Sequence, residues 1–293
     1  MILETPEENF YDLSGFAYES NSTSIVHQDL PTPCTMESVV AGPKKGQEVL
    51  LIHGGTSWVY GFRHMIPILA EAGCRVHAVD LLGFGRSTKF AEKGKLSHDI
   101  HCESLKTYLD INDIKNSLVV VFGESLPIAL RLALAQRSRF RGMMTVNGRL
   151  SIQNDDYPLN LETFRDDNEV EVANIAQKMT SRHLHENILA GYEAPYPSAE
   201  FQWGLKQLVQ SQFSKSSPFS VEEHAFDGVH SLPTWVASSS SEERIQKDNE
   251  LLRSTAPFIE IKEARSFDGS GFYIEEDRGP ELAHFILDIL HDE

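Results

Sequence analysis

LVVVFGESLP, residues 118–127, is the stretch on which the fold turns. Leu118 to Phe122 is an unbroken apolar run of strand length. A strand apolar on both faces belongs inside a sheet that is covered on both sides. Gly123 interrupts the run, and Pro127 suits the first turn of a helix. The alanine- and leucine-rich segment from Leu126 to about Gln136 supplies that helix. Working outward, Glu48 to His53 (EVLLIH) reads as a second buried strand, broken by His53-Gly54-Gly55. Phe62 to Ala72 reads as a helix ended by Gly73, Arg75 to Val79 as a strand, and Asp80 to Ser87 (DLLGFGRS) as a glycine-rich turn. Ser97 to Asp110 is helical, with Ile100, Leu105 and Leu109 on one side. Met143–Val146, Pro233–Ala237 and Phe258–Lys262 are further strands, and Glu281–Leu290 is an amphipathic closing helix.

Strands alternating with helices predict right-handed βαβ units and an α/β fold, a mostly parallel sheet flanked by helices. The stretch from about Ser151 to Ser231 breaks that rhythm: it is polar, of helical pattern, and carries Ala194-Pro195-Tyr196-Pro197. The expected division is a core of residues 1–150 and 231–293 with an inserted helical cap over 151–230. Ligands of open α/β sheets sit at the carboxyl ends of the strands, where such a cap closes the pocket.

Composition narrows the role. The chain has 293 residues, 41% hydrophobic and 24% charged, with a formal net charge of −17. That sign repels phosphate backbones and anionic lipid, so no nucleic-acid or membrane partner is expected. The sparse set Cys34, Cys74 and Cys102, without CxxC spacing, argues for reduced thiols. No apolar run approaches the roughly 20 residues of a membrane span, and the acidic start MILETPEENF has no secretory pattern. A cytoplasmic location is the expectation.

Several segments carry a family resemblance. His53 to Pro67 (HGGTSWVYGFRHMIP) resembles the oxyanion loop and first helix of haloalkane dehalogenases, a branch of the α/β-hydrolase fold. Ala70 to Ser87 (AEAGCRVHAVDLLGFGRS) is similar to the same family. So are Thr5 to Phe10 with Gly15-Phe16, Tyr192 to Pro197, and Glu276 to Ala283. The resemblance implies the α/β-hydrolase fold with an inserted helical cap. It also implies a mechanism: an Asp at the strand-to-helix elbow displaces halide, a His activates water, an acid orients the His, and two donors hold the halide.

The implied positions hold other residues. Gapless alignment from Asn116 through Arg139-Phe140 puts Gly123 at the nucleophile and Glu124 at the halide-binding Trp. The base falls on Phe272 when aligned backward from Glu276-Asp277, and on Ser266 when aligned forward from Glu260-Ile261. No histidine lies between Ser231 and Ala283. The acid falls near Glu242, and Gly55 stands where a halide-binding side chain is implied. Removing such a nucleophile or base costs roughly a millionfold in rate, about 8 kcal/mol of transition-state stabilisation. Dehalogenation by that route is not expected.

Candidate roles remain. Gly123-Glu124-Ser125-Leu126-Pro127 is similar to the Gly-x-Ser-x-Gly elbow of esterases, which would make Ser125 a nucleophile. That reading requires two residues missing from the following helix and puts Arg131 where the helix packs closely on the sheet. A Glu124 facing an apolar pocket would have its pKa raised toward neutrality and suit acid/base work; turned outward or paired with an Arg, it would not. The amides of Gly55 and Glu124 would make an oxyanion site, with Trp58 in the pocket wall and Ser125 and Asp80 assisting. His98 and His101, three apart on a helix, read as packing residues and not as a metal face; no metal or cofactor is expected. The preferred expectation is a repurposed lyase, isomerase or cyclase acting on a small apolar molecule. The alternatives are a pseudoenzyme binding a ligand or partner, and an esterase using Ser125.

Overall fold

The structure is a computed structural model and describes the chain except residues 32, 151–156, 214–218, 220, 222 and 292–293. Its strands, in chain order, are β1 (Ile2–Leu3), β2 (Asn21–Ile25), β3 (Cys34–Ala41), β4 (Gln47–Ile52), β5 (Cys74–Val79), β6 (Lys89–Phe90), β7 (Ser117–Phe122), β8 (Phe140–Val146), β9 (Leu232–Ser238) and β10 (Ile259–Ser266). The helices are α1 (Ile66–Glu71), α2 (His98–Ile111), α3 (Leu126–Ala135), α4 (Val172–Met179), α5 (Glu186–Glu193), α6 (Trp203–Gln212), α7 (Glu242–Thr255), α8 (Ile274–Asp277) and α9 (Gly279–His291).

The main sheet has eight strands in the order β10-β9-β8-β7-β4-β5-β3-β2. All pairings from β5 through β4, β7, β8 and β9 to β10 are parallel; β3 and β2 close one edge antiparallel. This is the mostly parallel α/β-hydrolase sheet expected from the alternating pattern. Val49–Ile52 and Leu118–Phe122 are buried along their whole length, because helices cover both faces of these central strands and leave no polar side to display.

Local chemistry sets the helix starts. The Ser97 side chain accepts the Ile100 N–H at the head of α2, and Ser241 accepts the Arg244 N–H at the head of α7. Pro127 stands in the first turn of α3, where a missing N–H breaks no bond. The segment expected as one helix over 62–72 divides: Val59–His64 is a 3-10 turn and α1 follows. The division falls before Pro67, which α1 takes into its first turn.

Helices α4, α5 and α6 come between β8 and β9 and lie over the carboxyl edge of the sheet. The expected start of this insertion, residue 151, lies outside the described residues. Its seat on the core is close. A Cβ on Gly83 in the glycine-rich turn would be 3.0 Å from the Gly204 Cα, and one on Gly204 would be 2.8 Å from the Gly83 Cα. The Trp58 Nε1–H donates to the Gly191 carbonyl at 2.9 Å, and Asn9 Nδ2 donates to the Ala194 carbonyl at 3.1 Å. No helix among the described residues is long and apolar enough to cross a membrane.

Candidate active site

Strand β7 delivers the chain to the carboxyl edge between β4 and β8. There the backbone turns through Gly123, whose φ of +50° lies in the left-handed region, a conformation that costs an L-residue about 1–2 kcal/mol. Glu124 and Ser125 complete a short 3-10 turn before α3. The Gly123 carbonyl accepts the Arg149 N–H at 3.0 Å. A Cβ on Gly123 would lie 3.4 Å from the Phe272 Cε1. The elbow glycine and the ring therefore face each other, and neither carries a group that can attack or take a proton. Ser266, the other candidate for the base, ends β10 with its hydroxyl bonded to Asp268 at 2.5 Å.

The Glu124 side chain turns inward and is 1% exposed. Its Oε2 accepts the Gly55 N–H at 2.7 Å, and its Oε1 accepts the Tyr157 hydroxyl. Glycine at 54 and 55 makes the space: a Cβ at either would stand 3.1 or 3.3 Å from Oε2. On its other side a Gly55 Cβ would be 2.9 Å from the Val209 Cγ2 of α6. The Gln212 Nε2–H, also on α6, donates to the Glu124 carbonyl at 3.0 Å. The Gly55 amide, expected to receive a ligand oxyanion, thus receives the protein's own carboxylate. Burial and the Glu124 charge push the Tyr157 phenol well above its usual pKa, so it remains a donor. Tyr157 stands edge-on to Phe272, with ring centres 5.3 Å apart.

The other expected participants are engaged elsewhere. Ser125 is buried in the first turn and donates to the His53 carbonyl at 2.6 Å. The His53 Nε2 accepts the Leu81 N–H at 3.1 Å, which leaves the proton on Nδ1, 2.8 Å from the Gly54 carbonyl. Burial pushes this imidazole down to about 4; it is neutral and both its nitrogens are committed to backbone. Asp80 is buried, with Oδ1 accepting the Val59 N–H at 2.9 Å and Oδ2 accepting the Arg86 N–H at 3.0 Å. It ties the glycine-rich turn to the oxyanion loop, and burial raises its pKa to about 6. Trp58, committed to Gly191, packs between Phe10, Phe16 and Tyr60. Glu242 begins α7 and is exposed. Burial lowers His98 to about 4 and His101 to about 3. Among the described residues no three His, Cys, Asp or Glu side chains converge to hold an ion.

Sequence reasoning passed over Tyr157, Asn147 and Arg149. Asn147, at φ +46° just beyond β8, donates from Nδ2 to the Phe272 carbonyl at 2.7 Å and to the Ser239 hydroxyl at 3.0 Å. The guanidinium of Arg149 lies 5.4 Å from the Phe272 ring centre. A signal for these two existed: Asn147-Gly148-Arg149 follows a core strand at the edge where parallel sheets bind ligands. Tyr157 had none. A further buried acid, Glu275, has its pKa raised to about 8, chiefly by burial and then by neighbouring Glu276 and Glu124.

The architecture and elbow define a class, and comparison with known proteins agrees. Residues 48–252 match the alpha/beta hydrolase fold family, and the chain belongs to it. Within that fold it is haloalkane-dehalogenase-like. The haloalkane dehalogenase of Psychrobacter cryohalolentis is 26% identical over 99% of this chain and 98% of its own length. That of Mycobacterium marinum is 26% identical over 98% of each chain. The solved haloalkane dehalogenase DpaA from Paraglaciecola agarilytica superposes with a TM-score of 0.84, covering 100% of both chains at 23% identity.

Proposed function

We propose that this haloalkane-dehalogenase-like protein carries out no halide displacement and that it binds a small apolar molecule without hydrolysing it. In this reading residues 1–150 and 231–293 are the core domain and 151–230 its cap. The observation that carries the proposal is the Glu124 carboxylate on the Gly55 amide. A buried amide has one proton to give, and here an internal anion takes it. A substrate oxyanion brought to the same amide would meet a like charge at hydrogen-bond distance, which inverts the stabilisation such a site provides. Gly123 and Phe272 point the same way, since a hydrogen atom and a phenyl ring supply neither nucleophile nor base.

A second reading is favoured by one contact, the Tyr157 hydroxyl on Glu124 Oε1. A carboxylate coupled to a phenol can pass a proton, so a lyase, isomerase or cyclase step with Glu124 as base and Tyr157 as acid fits the same centre. The esterase reading has less support, because the Ser125 hydroxyl is turned to the His53 carbonyl and the neighbouring imidazole is held by backbone.

Halide release from short bromoalkanes tests the proposal. The expected rate is the uncatalysed background; release at ordinary enzymatic rates, about 1 per second or faster, would overturn it. Screening small apolar carbonyl compounds and epoxides for conversion separates the two readings. Conversion abolished by Glu124→Gln establishes the acid/base reading, and binding of such compounds without conversion supports the first.

A further inference from the structure

We propose that the cleft between the carboxyl ends of β8 and β9 and helix α7 binds a small monocarboxylate, its carboxylate on Arg149 and its aliphatic body against Leu126, Val236, Ile245 and Leu252. The cleft has a volume of about 340 Å³, within the range of small-ligand pockets. It opens to solvent, and it is joined to the elbow through Arg149, whose N–H holds the Gly123 carbonyl. This cleft is a site separate from the Glu124 centre of the reading above, and it is tested independently of it.

Arg149 carries the argument. Its side chain is 7% exposed, and its nearest anion, Asp248 Oδ2, is 3.6 Å away. The other Asp248 oxygen accepts the Arg244 Nε–H at 2.9 Å. The Arg149 Nε is buried without a hydrogen-bond partner, and no other described residue satisfies its guanidinium. An unmade bond on a buried group is costly, and more so on an ionised one than on a neutral one. A carboxylate matches the guanidinium fork with two parallel hydrogen bonds.

A second orphan lines the same cleft: the Thr145 Oγ1 is buried and unpartnered. The Asn249 side chain lines it as well. The walls choose among anions. Leu126, Val236, Ile245 and Leu252 offer apolar surface to a hydrocarbon body, which a halide or inorganic phosphate does not have.

Titration calorimetry of the full chain with sodium hexanoate, at constant ionic strength, tests the assignment. Saturable binding is expected, weakened at least about tenfold in Arg149→Met. Asp248→Asn, which frees the guanidinium from its internal anion, should tighten it several-fold. Absence of saturable binding, equal binding of 1-hexanol or inorganic phosphate, or an unchanged affinity in Arg149→Met would each overturn the proposal. If Arg149→Met does not fold, Asp248→Asn decides, and an affinity unchanged or weaker than wild type overturns it. None of these results bears on halide release, so failure here leaves the dehalogenation question to its own assay.

Discussion

Glu124 links a loop amide, an elbow and a phenol, and each partner has something different to lose. Glu124→Gln keeps an oxygen for the Gly55 N–H and an amide for the Tyr157 oxygen, so stability should fall little. Glu124→Ala leaves a buried N–H and a buried O–H unpaired, at about 1–3 kcal/mol each. Urea unfolding should therefore rank alanine well below glutamine; equal midpoints would mean that the carboxyl does not make these bonds. At Gly123 the backbone conformation and not crowding limits change, because a Cβ would meet the Phe272 ring and the Gly54 Cα at ordinary contact distance. Gly123→Ala should cost about 1–2 kcal/mol by the same measurement. The residue reading was legible in part. Glycine at the elbow and an acid one place on were visible as departures from the resembled pattern. The direction of the Glu124 side chain was not, since it is set by Tyr157, 33 residues along the chain. Nor was the commitment of Ser125, Asp80 and Trp58 to backbone partners, which depends on loops that meet only after folding.

Among the elements, the turn from Val59–His64, the insertion and helix α8 are fastened together by one carboxylate. Glu276 accepts from Arg63 at 2.7 Å, Tyr192 at 2.8 Å and Arg182 at 2.9 Å. The Arg63–Glu276 pair is 1% exposed on both sides, and the partners hold the Glu276 pKa below its usual value against burial. Removing one member of such a pair strands the other charge, so Glu276→Gln should destabilise by about 3–5 kcal/mol. A loss under 1 kcal/mol in denaturant titration would show that solvent or rearrangement replaces the bridge. Element placement was readable wherever the chain is apolar on a period: β4, β5, β7 and α9 lie close to their expected positions. Strands β2 and β3 and helix α7 were not anticipated. β2 (NSTSI) shows mostly exposed polar residues at the sheet edge. α7 buries Ile245, Asn249 and Leu252 along 14 otherwise solvated residues, too sparse an apolar stripe to announce itself.

Across the molecule, buried ionisable groups give stability a pH dependence with opposing parts. Glu275, raised from 4.5 to about 8, and Asp80, raised from 3.8 to about 6, bind protons more tightly folded than unfolded. Their contribution is complete below the unfolded values and is lost as pH rises through the folded ones. His53, His98 and His101, all lowered, contribute above their ordinary 6.5 and lose that contribution toward pH 4. Glu275→Gln isolates one component. Its unfolding free energy relative to wild type, from denaturant titration, should climb from pH 5 to pH 8, by at most about 1.4 kcal/mol per pH unit; parallel profiles would refute the assignment. One contact between layers reaches furthest. At Gly83 and Gly204 main chain rests on main chain, so the lid over the sheet has no clearance to spare. A single methyl at 204 would act as a wedge, lifting Val209 and Gln212 away from the oxyanion loop. The Gly55 amide would then exchange its hydrogen with solvent sooner, although nothing near it had been altered.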